Sequence, residues 1–190
     1  MLVALAGCTE AVPERHQSAD FSKVPWWSIG SVWTYATDDG QSRVSYHYLG
    51  KENVQGKVTR RVQLEVSDAD GDKSTETIWF TDEGLAPIQG RTGFLGSTAD
   101  CGGLFPLVNR TIVCTETTGS TTSVANRTIR VGPPGSVLTP AGTFDSVEVA
   151  WWATNGEEPE KAYWYAPTVG WYSKFFDPAG KTLFLQDFHS

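Results

Sequence analysis

Apolar and polar residues alternate with a period of two along most of this chain. Val58, Arg60, Val62, Leu64 and Val66 share one face of an extended segment, and Thr59, Arg61, Gln63 and Glu65 share the other. Val44, Tyr46 and Tyr48 alternate with Ser45 and His47, and Val147, Val149 and Trp151 with Ser146, Glu148 and Ala150. Helical periodicity is nearly absent. Turn-forming clusters separate the runs: Asp38-Asp39-Gly40, Asp68 to Asp72, Asn155-Gly156 and Asp177-Pro178-Ala179-Gly180. The pattern predicts an all-β protein of about 10–12 antiparallel strands joined by hairpins. They are expected to form one large curled sheet, a half-barrel or open barrel.

The order of features repeats. Ile29 to Tyr35, Arg61 to Val66 and Thr77 to Ile88 mark a first half, about 26–95. Val108 to Thr115, Asp145 to Ala150 and Ala162 to Tyr172 mark a second, about 104–190. Trp79 and Trp164 take corresponding places in the two runs. An internal duplication into two similar meanders is therefore expected, against the alternative of coincidence among similar strands. With 190 residues, 39% hydrophobic and 12% aromatic, residues 26–190 are expected to bury one core as a single β domain.

Charge narrows the partners. The formal net charge is −7 and the pI about 4.9, with no basic stripe of the kind a nucleic-acid binder carries. Arg60 and Arg61 adjoin, but on opposite faces of one strand pattern. An acidic balance also argues against polybasic attachment to anionic lipid. No run reaches the roughly 18 apolar residues a spanning helix needs.

The amino terminus points to a different membrane link. Leu5-Ala6-Gly7-Cys8 looks like a bacterial lipobox, in which small residues admit a signal peptidase and the cysteine sulfur takes the lipid. The resemblance implies a signal remnant over 1–8, an acyl anchor on Cys8 and a polar tether over 9–25. Thr9, where an Asp would favour inner-membrane retention, implies the periplasmic face of the outer membrane. The apolar stretch Met1–Gly7 is shorter than a complete signal and lacks a cationic start. Either the signal begins upstream or the match is accidental. Lipidation of Cys8 leaves Cys101 and Cys114, an even remainder that suggests one disulfide in an exported protein. Two separate buried thiols are the alternative. Zinc is disfavoured, because the spacing is wrong and His16, His47 and His189 are scattered.

Leu104-Phe105-Pro106-Leu107, Leu138-Thr139-Pro140-Ala141-Gly142-Thr143-Phe144-Asp145 and Tyr163-Trp164-Tyr165-Ala166-Pro167-Thr168-Val169-Gly170 together resemble a family of bacterial envelope lipoproteins. That family carries a "TPAGTFD" turn and a closing "YWYAP-x-VG" hairpin. The resemblance covers most of Pro25 to Phe188. It implies a curled antiparallel sheet in the periplasm and brings no established reaction. More loosely, the architecture is similar to the lipoprotein carriers LolA and LolB, which cup acyl chains in an open half-barrel under a helical lid. No lid helix is visible here. Structural roles are expected for the motif turns, with Asp145 bonding backbone groups at a strand start, Pro167 ending a strand and Gly170 turning the chain.

Candidate chemistry is sparse. Asp68-Ala69-Asp70-Gly71-Asp72 resembles a calcium loop, but position 6 is Lys73 and position 12 is Trp79. A solvated hairpin turn is the better reading. No nucleophile, metalloprotease or phosphate-loop motif appears. His47 could act as a base but has no visible partner. The chain is therefore expected not to be an enzyme and to need no cofactor.

Eight tryptophans remain. Adjacent strand residues point to opposite faces, so Trp151 in the core places Trp152 on the far face. Either both sheet faces are covered, or the sheet lines a groove with rings. The groove reading makes Trp79, Trp152, Trp164, Trp171, Tyr46 and Tyr48 candidate ligand contacts. A lipid or glycan ligand, or an envelope protein partner, would then bind there. A scaffold subunit without a pocket, and less readily an envelope-polymer hydrolase, are the rival classes.

Overall fold

The structure is a computed structural model that describes residues 20–88, 102–118, 121–176 and 180–190. Ten strands follow in chain order: β1 (Val32–Thr37), β2 (Arg43–Val54), β3 (Lys57–Ser67), β4 (Lys73–Thr81), β5 (Arg110–Thr118), β6 (Thr121–Thr139), β7 (Gly142–Ala153), β8 (Pro159–Ala166), β9 (Trp171–Phe176) and β10 (Thr182–His189). They form one antiparallel sheet in the order β4-β3-β2-β1-β10-β9-β8-β7-β6-β5. A four-strand meander runs outward from β1, a six-strand meander runs inward to β10, and the β1–β10 pair joins them. The two halves thus differ in strand number. Trp79 lies on the edge strand β4 and Trp164 on the interior strand β8, so their places in the sheet are not equivalent.

The sheet is strongly curled. Five inter-strand steps separate β4 from β9, about 24 Å across a flat sheet. Yet the Phe80 and Trp171 ring centroids are 5.5 Å apart. The alternating apolar face therefore wraps around itself. Val44, Tyr46, Val62, Leu64, Ile78, Val149, Tyr165, Leu183 and Leu185 are all buried within one core. Arg60 belongs to the same face and is also buried.

Two segments outside the strands fill the mouth of the curl. Trp27 packs edge-on against Trp171 at 4.9 Å, and its Nε1 donates to the Gly170 carbonyl at 2.7 Å. Phe21 and Val24 also pack on the core. The end of the expected tether, from Asp20 to Pro25, is thus part of the folded body. The connection from β4 to β5 carries the chain between opposite edges. Leu104 and Phe105 lie buried on its way. The Phe105 N–H donates to the Gly84 carbonyl at 3.0 Å, and its ring meets Tyr165 at 5.1 Å.

The motif turns have structural roles. The β6–β7 arm reaches past β8 and β9 to touch β10, where the Ala141 N–H donates to the Leu185 carbonyl at 3.1 Å. Phe144 meets Phe188 edge-on at 6.1 Å. Thr139 closes this turn by donating to the Gly142 carbonyl at 3.1 Å, and Asp145, expected to bond backbone groups at the strand start, is exposed. β8 ends at Ala166, one residue before Pro167. At Asp68 the carboxylate accepts from the Asp70 and Asp72 N–H groups at 3.1 and 3.0 Å. This is a self-bonded turn rather than an ion cage.

Candidate binding face

The six aromatic candidates divide between the two faces of the sheet. Tyr46, Tyr48 and Trp171 point into the core and are buried. Tyr46 and Trp171 meet at 5.9 Å, and Tyr48 packs on Trp27 at 5.3 Å. The inside of the curl is therefore occupied by the protein's own rings. Burial also pushes the phenols of Tyr46 and Tyr172 well above their ordinary range.

Trp79, Trp152 and Trp164 stand on the opposite, convex face and are half-buried. Each has a polar neighbour. Trp79 Nε1 donates to the Glu52 carboxylate, which also pairs with Arg61 at 3.5 Å. The Arg130 guanidinium lies 4.2 Å from the Trp152 ring centroid. The Lys174 ammonium lies 4.2 Å from the Trp164 ring and 5.5 Å from the Phe184 ring. Such contacts cover the ring faces and contribute about 0.5–1 kcal/mol at exposed sites.

The register shows how these side chains assemble. Glu148 pairs with Trp164, Trp164 with Lys174 and Lys174 with Phe184. Ala36 and Arg43 continue the row across β1 and β2. The row alternates charge and ring over the four strands β7, β8, β9 and β10, and Ala36 interrupts it before Arg43. Phe184 and Lys174 were not singled out by sequence, because their partners lie on other strands. Arg43 also borders a polar groove of about 440 Å³, with Glu65, Ser45, Ser67 and Lys73.

A second concavity of about 820 Å³ lies between the β2–β3 turn and the connection that crosses the mouth. Lys57, Val58, Asp82, Phe105 and Pro106 line it. Asp82 accepts from Arg60 Nε at 2.7 Å and from Lys51 Nζ at 2.6 Å. Burial opposes its ionisation, but the hydrogen bonds and charges of Lys51 and Arg60 outweigh that and hold its pKa down. Its oxygens are committed to these two cations.

The two histidines among the described residues each face one carboxylate. His47 Nε2 is 3.8 Å from Glu65, and His189 Nε2 is 2.9 Å from Asp187. Among the described residues no three His, Cys, Asp or Glu side chains gather as metal ligands, and no helix is long and apolar enough to cross a membrane. Cys8 and Cys101 lie outside the described residues. Cys114 is fully buried on β5.

No protein-family model and no curated protein matches this chain, so the resemblance carried by the turn and hairpin motifs stands on those residues alone. Two solved structures are similar. A candidate lipoprotein from Parabacteroides distasonis ATCC 8503 is 14% identical, over 85% of this chain and 96% of that one, with a TM-score of 0.44. A candidate exported protein with YmcC-like fold from Bacteroides fragilis NCTC 9343 is 14% identical, over 86% and 97%, with a TM-score of 0.45. Likeness at this level extends to neither ligand nor activity.

Proposed function

We propose that this chain is a non-catalytic envelope protein, held by an acyl anchor on Cys8 at the periplasmic face of the outer membrane, that docks an envelope protein through its convex sheet face. The carrying observation is the row Glu148–Trp164–Lys174–Phe184. Small ligands favour concave, largely apolar sites that enclose them. A convex face cannot enclose, and the interior of the curl is already filled. Aromatic side chains are enriched in protein interfaces, and this row presents two of them, Trp164 and Phe184, on the outer face. The lipobox-like Leu5-Ala6-Gly7-Cys8 and the envelope-lipoprotein motifs support the location. A Cys101–Cys114 bridge would fit an oxidising compartment.

A photo-reactive residue at position 184, in the full chain expressed in its own host, tests the docking face. The expected result is one stoichiometric protein adduct. Adducts to glycan alone, or none, would overturn the protein-docking reading.

A further inference from the structure

We propose that the rim around Trp26 and Ile29 is a second, separate contact surface, one that seats the folded body on a lipid bilayer. The inference rests on the acyl-anchored reading for its setting, though the surface itself stands on geometry.

Trp26 and Ile29 are 82% and 78% exposed, the highest values among the large hydrophobic residues described. They sit together. Trp26 lies 5.6 Å from the Lys51 ammonium. Ile29 lies against Gly50, where an added Cβ would come within 3.4 Å of its side chain. Gly50 and Lys51 are neighbours on β2, just past the irregularity at Tyr48/Gly50. Leu49, the extra residue there, is a further exposed apolar side chain. Leu49 continues the outward series of Ser45 and His47, so an apolar residue stands outward next to Gly50.

The position of these rings is fixed from within. Trp27, next to Trp26, is buried and hydrogen-bonded to Gly170. Pro25 is held by Arg60. An exposed Trp on so tightly held a backbone is not a fraying end. Trp is suited to the water–lipid boundary because its body is apolar and its N–H polar. Lys51, with its side chain 41% exposed, borders the Trp26 ring, and Lys23, at 81%, precedes it by three residues in the chain. Their acidic neighbours are Asp20, 3.0 Å from Lys23, and Asp82, 2.6 Å from Lys51. The patch is thus close to neutral, and apolar insertion, not charge, would carry the contact.

The occupant follows from where the chain enters. Asp20 is twelve residues from Cys8. Even fully extended, that stretch spans at most about 40 Å. An acylated Cys8 therefore keeps this end of the molecule, rather than the far ends of β5 and β6, close to the bilayer. Lipid on Cys8 would hold the chain near the bilayer, and the Trp26 rim would set how the folded body rests on it.

The full chain with Cys8→Ser, which removes the acyl site, is mixed with vesicles of phosphatidylethanolamine and phosphatidylglycerol, some carrying brominated acyl chains. Expected are measurable vesicle binding and bromine quenching of tryptophan emission. Trp26→Phe should remove that quenching. Trp26→Ala with Ile29→Ser should weaken binding by at least about tenfold, given the apolar area lost. Val124→Ser, an exposed apolar change at the other end of the strands, should leave binding intact. Absence of vesicle binding, or quenching unchanged in Trp26→Phe, overturns the proposal, as does a photo-reactive residue at position 26 that captures protein and no lipid in cells. A different result, Cys8 free of lipid in the native host, overturns the anchored reading and leaves the vesicle result to judge this surface by itself.

Discussion

The Arg60 guanidinium donates to the Pro25 carbonyl at 2.7 Å and so ties the segment before the sheet to the middle of β3. The same side chain donates to Asp82 and lies 4.7 Å from the Trp27 ring centroid. One buried cation therefore ties β3 to two other segments, one holding Pro25 and Trp27 and the other Asp82. Arg60→Met keeps the length and apolar stem while leaving the Pro25 carbonyl and one Asp82 oxygen without a donor. Breaking a buried pair from one side is costly. Because Lys51 still holds Asp82, the expected loss is about 2–3 kcal/mol. Urea unfolding followed by tryptophan emission measures it; a loss below about 1 kcal/mol would mean that Arg60 is dispensable.

Gly170 is the counterpart on the opposite half. Its φ is +68°, and an added Cβ would meet the Trp27 ring at 3.4 Å and Pro25 at 3.6 Å. Gly170→Ala places a methyl group at ordinary contact distance from Trp27 and Pro25, so the cost comes from the left-handed backbone alone. Destabilisation of about 1–2 kcal/mol is expected, with native tryptophan emission unchanged. An unchanged unfolding midpoint would show that the turn relaxes to accept the residue.

Much of this architecture is legible in the alternation of residues. The faces of Val44 to Tyr48 and of Val62 to Leu64 read directly, because inward positions on a one-sided sheet must be apolar. The opposition of Trp151 and Trp152 follows from the same rule. The inward place of Arg60 is also visible, but not its reason, since Asp82 and Pro25 are remote in sequence. β6 runs unbroken through Gly132-Pro133-Pro134-Gly135, residues that periodicity alone does not place in a strand. The register slips between Val131 and Pro134 there, where a missing donor is tolerated. Trp27 as a plug is invisible to periodicity, because it lies in no strand. The Glu148–Trp164–Lys174–Phe184 row is equally hidden, being a property of register between strands.

Titration should expose both ends of the pH range. Asp82 ionises below its ordinary 3.8 in the folded protein. Its contribution is present above that value and is lost as pH falls through the lower, folded one. Arg60→Met should flatten this acid limb. At the other end, burial first, then the neighbouring phenols Tyr46 and Tyr172, raise Tyr35 well above 10.0. That stability is complete below pH 10.0 and declines as pH rises past it. Phenolate absorbance should therefore appear in step with loss of the folded circular dichroism signal. Early, complete phenolate formation in a still-folded protein would contradict the burial.

Cys101 and Cys114 are expected to be joined in protein recovered from the envelope, with the buried Cys114 supplying one end. Peptide mapping without reductant should find the linked pair, and reduction should lower stability by about 3 kcal/mol for a loop of this size. Alkylation of both thiols in freshly isolated, unreduced protein would dismiss the bridge.

The outer row separates stability from recognition. Lys174 touches two rings, Trp164 and Phe184, and sits between them in the register. Removing its charge costs the fold little, because the ammonium contributes only about 0.5–1 kcal/mol through its exposed cation–π contacts. The same change leaves a gap in the alternation of charge and ring that the docking face presents. Lys174→Met should thus melt within a few degrees of the parent and yet reduce the position-184 cross-link severalfold. Lys174→Arg should restore much of it, since a guanidinium also stacks on aromatic faces. Thermal melting and in-cell cross-linking on the same variants give the comparison. Equal cross-linking in all three proteins would remove the row from the docking face, while a large melting shift in Lys174→Met would mark Lys174 as a structural residue instead.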